Sequence, residues 1–220
     1  MFVARTKEEA LRFFEKEAVI EVRETENRFI ISLVRERYGR KEYPIVYVYK
    51  PLPTQVIKQV LHACGFPRVD VLDKLQETEA VKKIKKIERC GAVLSGPAGV
   101  GKSTAVCWWI AKQLSYYRIK HARRFSAFTF DFQEVRECYE DIDTIMIDDM
   151  NPSSLHQHRL DFLIELIYRA YDDNKKLFIT TNEQKEKFVI RLPEAIVSRL
   201  VEMCEWIEVK GVDLRTRKRR

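Results

Sequence analysis

Apolar positions along the chain change their rhythm twice. Over residues 5–17 (RTKEEALRFFEKE), Leu11, Phe13 and Phe14 stand among charges at a spacing that predicts a short amphipathic helix. Residues 19–22 then read as a strand, and 28–35 fit a helix and a strand equally well. The β-branched and aromatic run at 44–49 (PIVYVY) predicts a strand that Pro51 and Pro53 close off. Helical spacing takes over at 54–64 and 77–89, the second ending in the basic run Lys82, Lys83, Lys85, Lys86 and Arg89. From there short apolar strands alternate with helices. Strands are predicted at 91–95 (GAVLS), 124–130 (RFSAFTF), 144–148 (TIMID), 177–181 (LFITT) and 206–209 (WIEV). Helices are predicted from the glycine loop to Leu114, over 155–171 and near 194–202. This alternation predicts an α/β fold, a parallel five-stranded sheet covered by helices on both faces, with a small N-terminal α+β appendage. Ligands of such sheets bind beyond the carboxyl ends of the strands.

Length and composition fit that reading. The 220 residues suit one main domain, expected at 54–214, with the appendage at 1–53 and a basic tail at 215–220. The chain is 45% hydrophobic and 33% charged, which excludes a mainly disordered protein. No apolar run approaches the roughly 18 residues of a membrane span, and charges throughout the first thirty residues argue against a secretory signal. The five cysteines are scattered, with no CxxC pair among them. They read as reduced thiols of a cytoplasmic protein. His156 and His158 flank Gln157, but they follow a Pro-Ser-Ser turn and read as a solvated helix start rather than a metal site.

Glycine is scarce, and three of the seven, Gly96, Gly99 and Gly101, fall within six residues. They belong to GPAGVGKST, which fits G-x-x-x-x-G-K-[ST] and follows a predicted strand directly. The loop Gly96, Pro97, Ala98, Gly99, Val100, Gly101, Lys102, Ser103 and Thr104 is therefore a candidate phosphate cradle. Glycines let consecutive N–H groups turn inward, and the following helix adds its positive end. Lys102 is expected to reach the β and γ phosphates of ATP, and the Ser103 hydroxyl to ligate Mg²⁺. Forty-six residues after Lys102, Asp148 and Asp149 stand at the tip of an apolar strand. Asp148 is expected to hold the Mg²⁺, directly or through water, and Asp149 to orient the attacking water. Asn182, at the end of the next strand, is placed to contact the γ phosphate and that water.

Taken together, GPAGVGKST, the IMIDD strand, the ITTN strand end, SRL at 198–200 and VKGVDLR at 209–215 resemble the AAA+ ATPases, and among them the DnaC/IstB-like helicase loaders and transposition ATPases. The resemblance covers about residues 60–215. It implies that Arg199 is an arginine finger acting in trans on a neighbouring subunit's ATP, so that the active form is a homo-oligomer; Arg191 is a second candidate. It also implies single-stranded DNA and a replicative helicase or other DNA-processing protein as partners, the helicase or its equivalent held by the appendage. The chain departs from the family in having thirteen residues between Phe130 and Thr144, where a longer DNA-contacting helical stretch is usual. It also has no room after Arg215 for a helical lid.

The net charge of +7 is uneven. Residues 211–220 carry +4, while 131–149 hold eight acids and one arginine. Residues 111–124 carry Lys112, Arg118, Lys120, Arg123 and Arg124 without an acid, with Tyr116, Tyr117 and Phe125 among or beside them. Cations interleaved with rings suit a single strand of nucleic acid. Two other classes share the loop: a small-molecule P-loop kinase, which needs neither Asn182 nor Arg199, and a nucleotide-dependent interaction module with little turnover.

Overall fold

The computed structural model describes residues 1–14, 17–66, 69 and 78–214. They form two compact units, 1–57 with 113–118, and 58–112 with 119–220. No described helix is long and apolar enough to cross a membrane.

The first unit is built on strands β1 (Phe2–Val3), β2 (Ala18–Glu24), β3 (Arg28–Arg37), β4 (Arg40–Glu42) and β5 (Ile45–Tyr49), in the order β1-β5-β3-β2 with β4 paired to β3. The ambiguous stretch from residue 28 is thus a strand. Phe29, Ile31 and Leu33 alternate inward and are fully buried, and Val48 of β5 joins them. Helix α1 (Lys7–Arg12) is shorter than its predicted span. Thr6 caps it by accepting the Glu9 N–H at 3.2 Å, and Phe14, just beyond it, packs into the core formed by Phe29, Ile31, Leu33 and Val48.

The second unit carries the sheet predicted from the alternation. Strands β6 (Gly91–Ser95), β7 (Ala122–Ser126), β8 (Thr144–Asp148), β9 (Lys176–Thr181) and β10 (Cys204–Glu208) run in the order β10-β6-β9-β8-β7, all parallel. Every residue of β6 and β8 is buried, as strands covered on both faces must be. The helices are α2 (Thr54–Ala63), which begins in the first unit, α3 (Glu79–Ile84), α4 (Lys102–Ser115), α5 (Phe132–Cys138), α6 (Gln157–Asp172), α7 (Lys185–Val189) and α8 (Glu194–Met203). On α6 the buried Leu160, Leu163, Leu166, Ile167 and Ala170 form one helical stripe against the sheet.

Two predicted elements shift. The strand expected over 124–130 is β7, which ends at Ser126. There the Ser126 carbonyl accepts the N–H groups of Thr129 and Phe130, a turn that ends the ladder. Phe130, which looked like a strand position, serves packing instead, edge-on to Phe132 at 5.0 Å and stacked on Phe162 at 5.3 Å, while Phe128 is exposed. The helix expected over 77–89 is α3 alone, and 70–77 lie outside the described residues. Two helices were not predicted, α5 and α7. Asp131 caps α5 by accepting the N–H groups of Gln133 at 2.7 Å and Glu134 at 3.2 Å.

Candidate nucleotide site

The strand order decides what can meet. Because β9 lies between β6 and β8, the loop after β6 faces the tips of β9 and β8 at the carboxyl edge of the sheet. Ser95 is in register with Thr181, and Ser126 with Asp148.

The loop from Gly96 to Gly101 holds its three glycines at positive φ. Gly96, Gly99 and Gly101 have φ of 145°, 80° and 94°, conformations that side-chain-bearing residues avoid. The space is equally restrictive at Gly96, where a Cβ would lie 2.1 Å from the Val209 carbonyl oxygen. Val209 is held in place because its N–H donates to the Ser95 carbonyl at 2.7 Å. The segment that follows β10 continues alongside the loop, and Leu214 donates its N–H to the Gly99 carbonyl at 3.0 Å.

Lys102 is 5% exposed, with its ammonium turned into the loop. It donates to the carbonyls of Gly96 at 2.7 Å and Pro97 at 2.8 Å and to Asn182 Oδ1 at 2.9 Å. Ser103 Oγ donates to Asp148 Oδ1 at 2.6 Å. Two hydrogen bonds thus join three motifs that lie 45 and 80 residues apart in sequence. Asp149 is exposed and sits at φ 56°, a left-handed conformation costing a branched or bulky residue about 1–2 kcal/mol and an aspartate less. The β9 tip holds it there: Asp149 N–H donates to Thr180 Oγ1 at 2.9 Å, and Met150 N–H to the Thr180 carbonyl at 2.8 Å.

Several residues of this site were not singled out from sequence. Arg124 of β7 donates from Nε and Nη2 to Asp148 Oδ2 at 2.9 and 2.6 Å. Thr180 Oγ1 donates to Asp148 Oδ1 at 2.6 Å. Asn151 Oδ1 accepts from Thr181 Oγ1 at 2.9 Å and from Asn182 N–H at 2.8 Å, fixing the amide that meets Lys102. The buried Glu183 carboxylate accepts from Ser153 N–H and Oγ, tying the ends of β8 and β9 together once more. The signal for Arg124 was an arginine opening a predicted strand, but only the β7–β8 pairing reveals its partner.

Other expectations fall elsewhere. Arg199 of α8 is not brought to the loop: Nη1 donates to Ala195 of its own helix, and the guanidinium lies over the Tyr168 ring at 4.1 Å and near Tyr171 at 5.2 Å. Arg191 is exposed after α7. The basic and aromatic stretch 111–124 is divided, 113–118 belonging to the first unit and 111–112 and 119–124 to the second. Phe125 is buried, Arg123 pairs with Glu134, and Arg124 is taken by Asp148. His156 and His158 are exposed at the start of α6, rings stacked 6.1 Å apart. Among the described residues no three His, Cys, Asp or Glu side chains gather as a metal cage. The tail at 215–220 lies outside the described residues.

The donor set of the site does fit a hard divalent cation. Mg²⁺ needs few protein ligands besides water and phosphate oxygens, and Ser103 Oγ with the Asp148 carboxylate supplies oxygen donors beside the loop.

No protein-family model and no curated protein matches the chain. Among solved structures it is similar to the DnaC helicase loader, at 19% identity and a TM-score of 0.43 over 73% of this chain and 93% of that one. It is similar to AMPPCP-bound DnaA from Aquifex aeolicus, at 17% identity and a TM-score of 0.48, over 68% of this chain and 53% of that one. DnaI matches at 16% identity and a TM-score of 0.45, over 72% of this chain and 95% of that one. These likenesses are of fold only. What the chain's own sheet order and loop establish is an α/β P-loop fold, a five-stranded parallel sheet flanked by helices.

Proposed function

We propose that this chain binds Mg²⁺ and ATP at residues 96–104 and hydrolyses the nucleotide, serving as a DNA-replication accessory ATPase of the helicase-loader kind. The observation that carries the reading is the convergence at one point of Lys102 with Asn182 and of Ser103 with Asp148. A glycine turn without function has no need of a buried lysine aimed at a strand-tip amide.

Each residue has a task. Backbone N–H groups of the loop and the positive end of α4 receive the phosphates. Lys102, already turned inward, exchanges loop carbonyls for phosphate oxygens. Ser103 and Asp148 are the residues that would hold Mg²⁺, which supplies charge neutralisation at the transferring phosphoryl group. Asp149, exposed beside them, orients the attacking water, and Asn182 links that water's place to Lys102. Arg199, displayed on α8 away from its own loop, completes the site of a neighbouring copy. Single-stranded DNA and a helicase or other DNA-processing protein are the proposed partners, as the AAA+ resemblance implies.

The test is ATP hydrolysis with and without single-stranded DNA, for the parent and Arg199→Ala. The reading expects DNA to raise turnover. It expects Arg199→Ala to bind ATP normally but to lose about a thousandfold or more in hydrolysis, as removal of an arginine finger does. Unchanged hydrolysis in Arg199→Ala would remove the finger, and phosphate appearing on a small acceptor rather than in solution would remove the whole reading.

A further inference from the structure

Asp148 is a carboxylate with every acceptor position in use. Its side chain is 4% exposed. Oδ1 accepts the hydroxyls of Ser103 and Thr180, each at 2.6 Å. Oδ2 accepts two N–H groups of Arg124, at 2.9 and 2.6 Å. A carboxylate offers about four acceptor sites, so a cation or a cation-bound water can reach Asp148 only if a present partner leaves.

The three partners differ in how readily they can leave. Ser103 is itself needed at the metal. Thr180 is fully buried in β9 and also accepts the Asp149 N–H, so its hydroxyl is fixed from two sides. Arg124 is 19% exposed, against 4% for Asp148, and has backbone partners nearby to stay with: Nη1 donates to the Gly65 carbonyl at 3.2 Å. It is also the one partner that an arriving cation repels. Without a metal its charge is what a carboxylate this buried requires, since an uncompensated buried charge is strongly destabilising.

We propose that Arg124 is the internal counter-ion that a divalent metal displaces from Asp148, and that it thereby sets the metal affinity of the site. The proposal rests on the reading of residues 96–104 as the Mg²⁺ and ATP site. Arg124 is a positioning residue on this account. With the metal absent it holds Asp148 aimed at Ser103, and with the metal present it withdraws toward Gly65.

The experiment compares the parent with Arg124→Gln and Arg124→Lys, measuring the Kd of a fluorescent ATP analogue in Mg²⁺ and in EDTA. In Arg124→Gln the ratio of the EDTA to the Mg²⁺ value should rise about tenfold, the order expected when one positive charge is removed a few ångströms from a divalent cation near solvent. Arg124→Lys keeps the charge and should stay near the parent. A simple folding defect weakens both affinities and leaves the ratio alone. An unchanged or smaller ratio in Arg124→Gln overturns the proposal, because Arg124 would then be assisting the metal or indifferent to it. Mn²⁺ titrated alone into the nucleotide-free proteins, followed by electron paramagnetic resonance, gives the second reading. Tighter Mn²⁺ binding in Arg124→Gln supports displacement and equal binding overturns it. Failure of the parent to bind the analogue counts instead against the nucleotide reading.

Discussion

Replacing Gly96 by alanine should unfold the loop from beneath. The added Cβ meets the Val209 carbonyl oxygen at 2.1 Å, and Val209 cannot retreat without breaking its 2.7 Å bond to Ser95. Backbone strain at φ 145° adds about 1–3 kcal/mol, and forced overpacking about 1–3 kcal/mol more. The expected loss for Gly96→Ala is therefore about 2–6 kcal/mol. Gly101→Ala is the control. Its φ is also positive, at 94°, but the nearest atom to its Cβ is the flexible Leu214 side chain at 3.5 Å, so only the strain remains. Urea unfolding followed by tryptophan fluorescence reads the difference, since the Trp206 indole N–H donates to Ser95 Oγ at 3.0 Å, one residue from the substitution. With a slope of about 2 kcal/mol per molar urea, the Gly96→Ala midpoint should fall by about 1–3 M. The Gly101→Ala midpoint should fall by clearly less. Equal midpoints for the two variants, or a Gly96→Ala midpoint at the parent value, would refute the claim that the segment after β10 fixes the loop.

Three further predictions concern the α5 cap and the buried thiols. Asp131→Ala removes the acceptor for two N–H groups of α5 and should cost about 1 kcal/mol; an unchanged urea midpoint contradicts that cap. Burial pushes the thiols of Cys107 and Cys204 up to about 12 from an ordinary 9.0. Both ionise first in the unfolded chain, so stability is intact below pH 9 and falls between about 9 and 12. The loss is up to about 1.4 kcal/mol per thiol per pH unit. A thiol reagent at mildly alkaline pH should label the exposed Cys90 first and Cys107 or Cys204 only on unfolding; rapid labelling of either buried thiol in the folded protein contradicts their placement.

The sheet of the second unit was legible because its central strands are short, largely apolar runs, and TIMID and GAVLS announce burial on both faces without any partner being known. The glycine loop was legible for a different reason, since glycine at positive φ is a local demand written into single residues. What sequence could not reveal was pairing. Arg124 looked like one cation of a nucleic-acid-binding stretch until β7 came to lie beside β8, with Arg124 opposite Met146, two residues before Asp148. Asn151 and Glu183 are ordinary loop residues in sequence, and they matter because β8 and β9 are neighbours in space. Helix α5 was missed because its seven residues bury only Val135 and carry four charges or amides, so no apolar stripe marks it. The aromatic alternation in 124–130 misled for the opposite reason, as periodicity alone cannot tell a strand from a turn that buries Phe130 and leaves Phe128 exposed.

The central claim is that Lys102, Ser103 and Asp148 form one Mg²⁺-dependent nucleotide site, and equilibrium binding of an ATP analogue tests it most directly. In Mg²⁺ the parent should bind saturably at one site. Lys102→Ala should bind about 10- to 100-fold more weakly, the loss of one charge-assisted contact, and Asp148→Asn should lose most of the gain that Mg²⁺ confers. A parent that does not bind, or a Lys102→Ala variant that binds as tightly as the parent, contradicts the account.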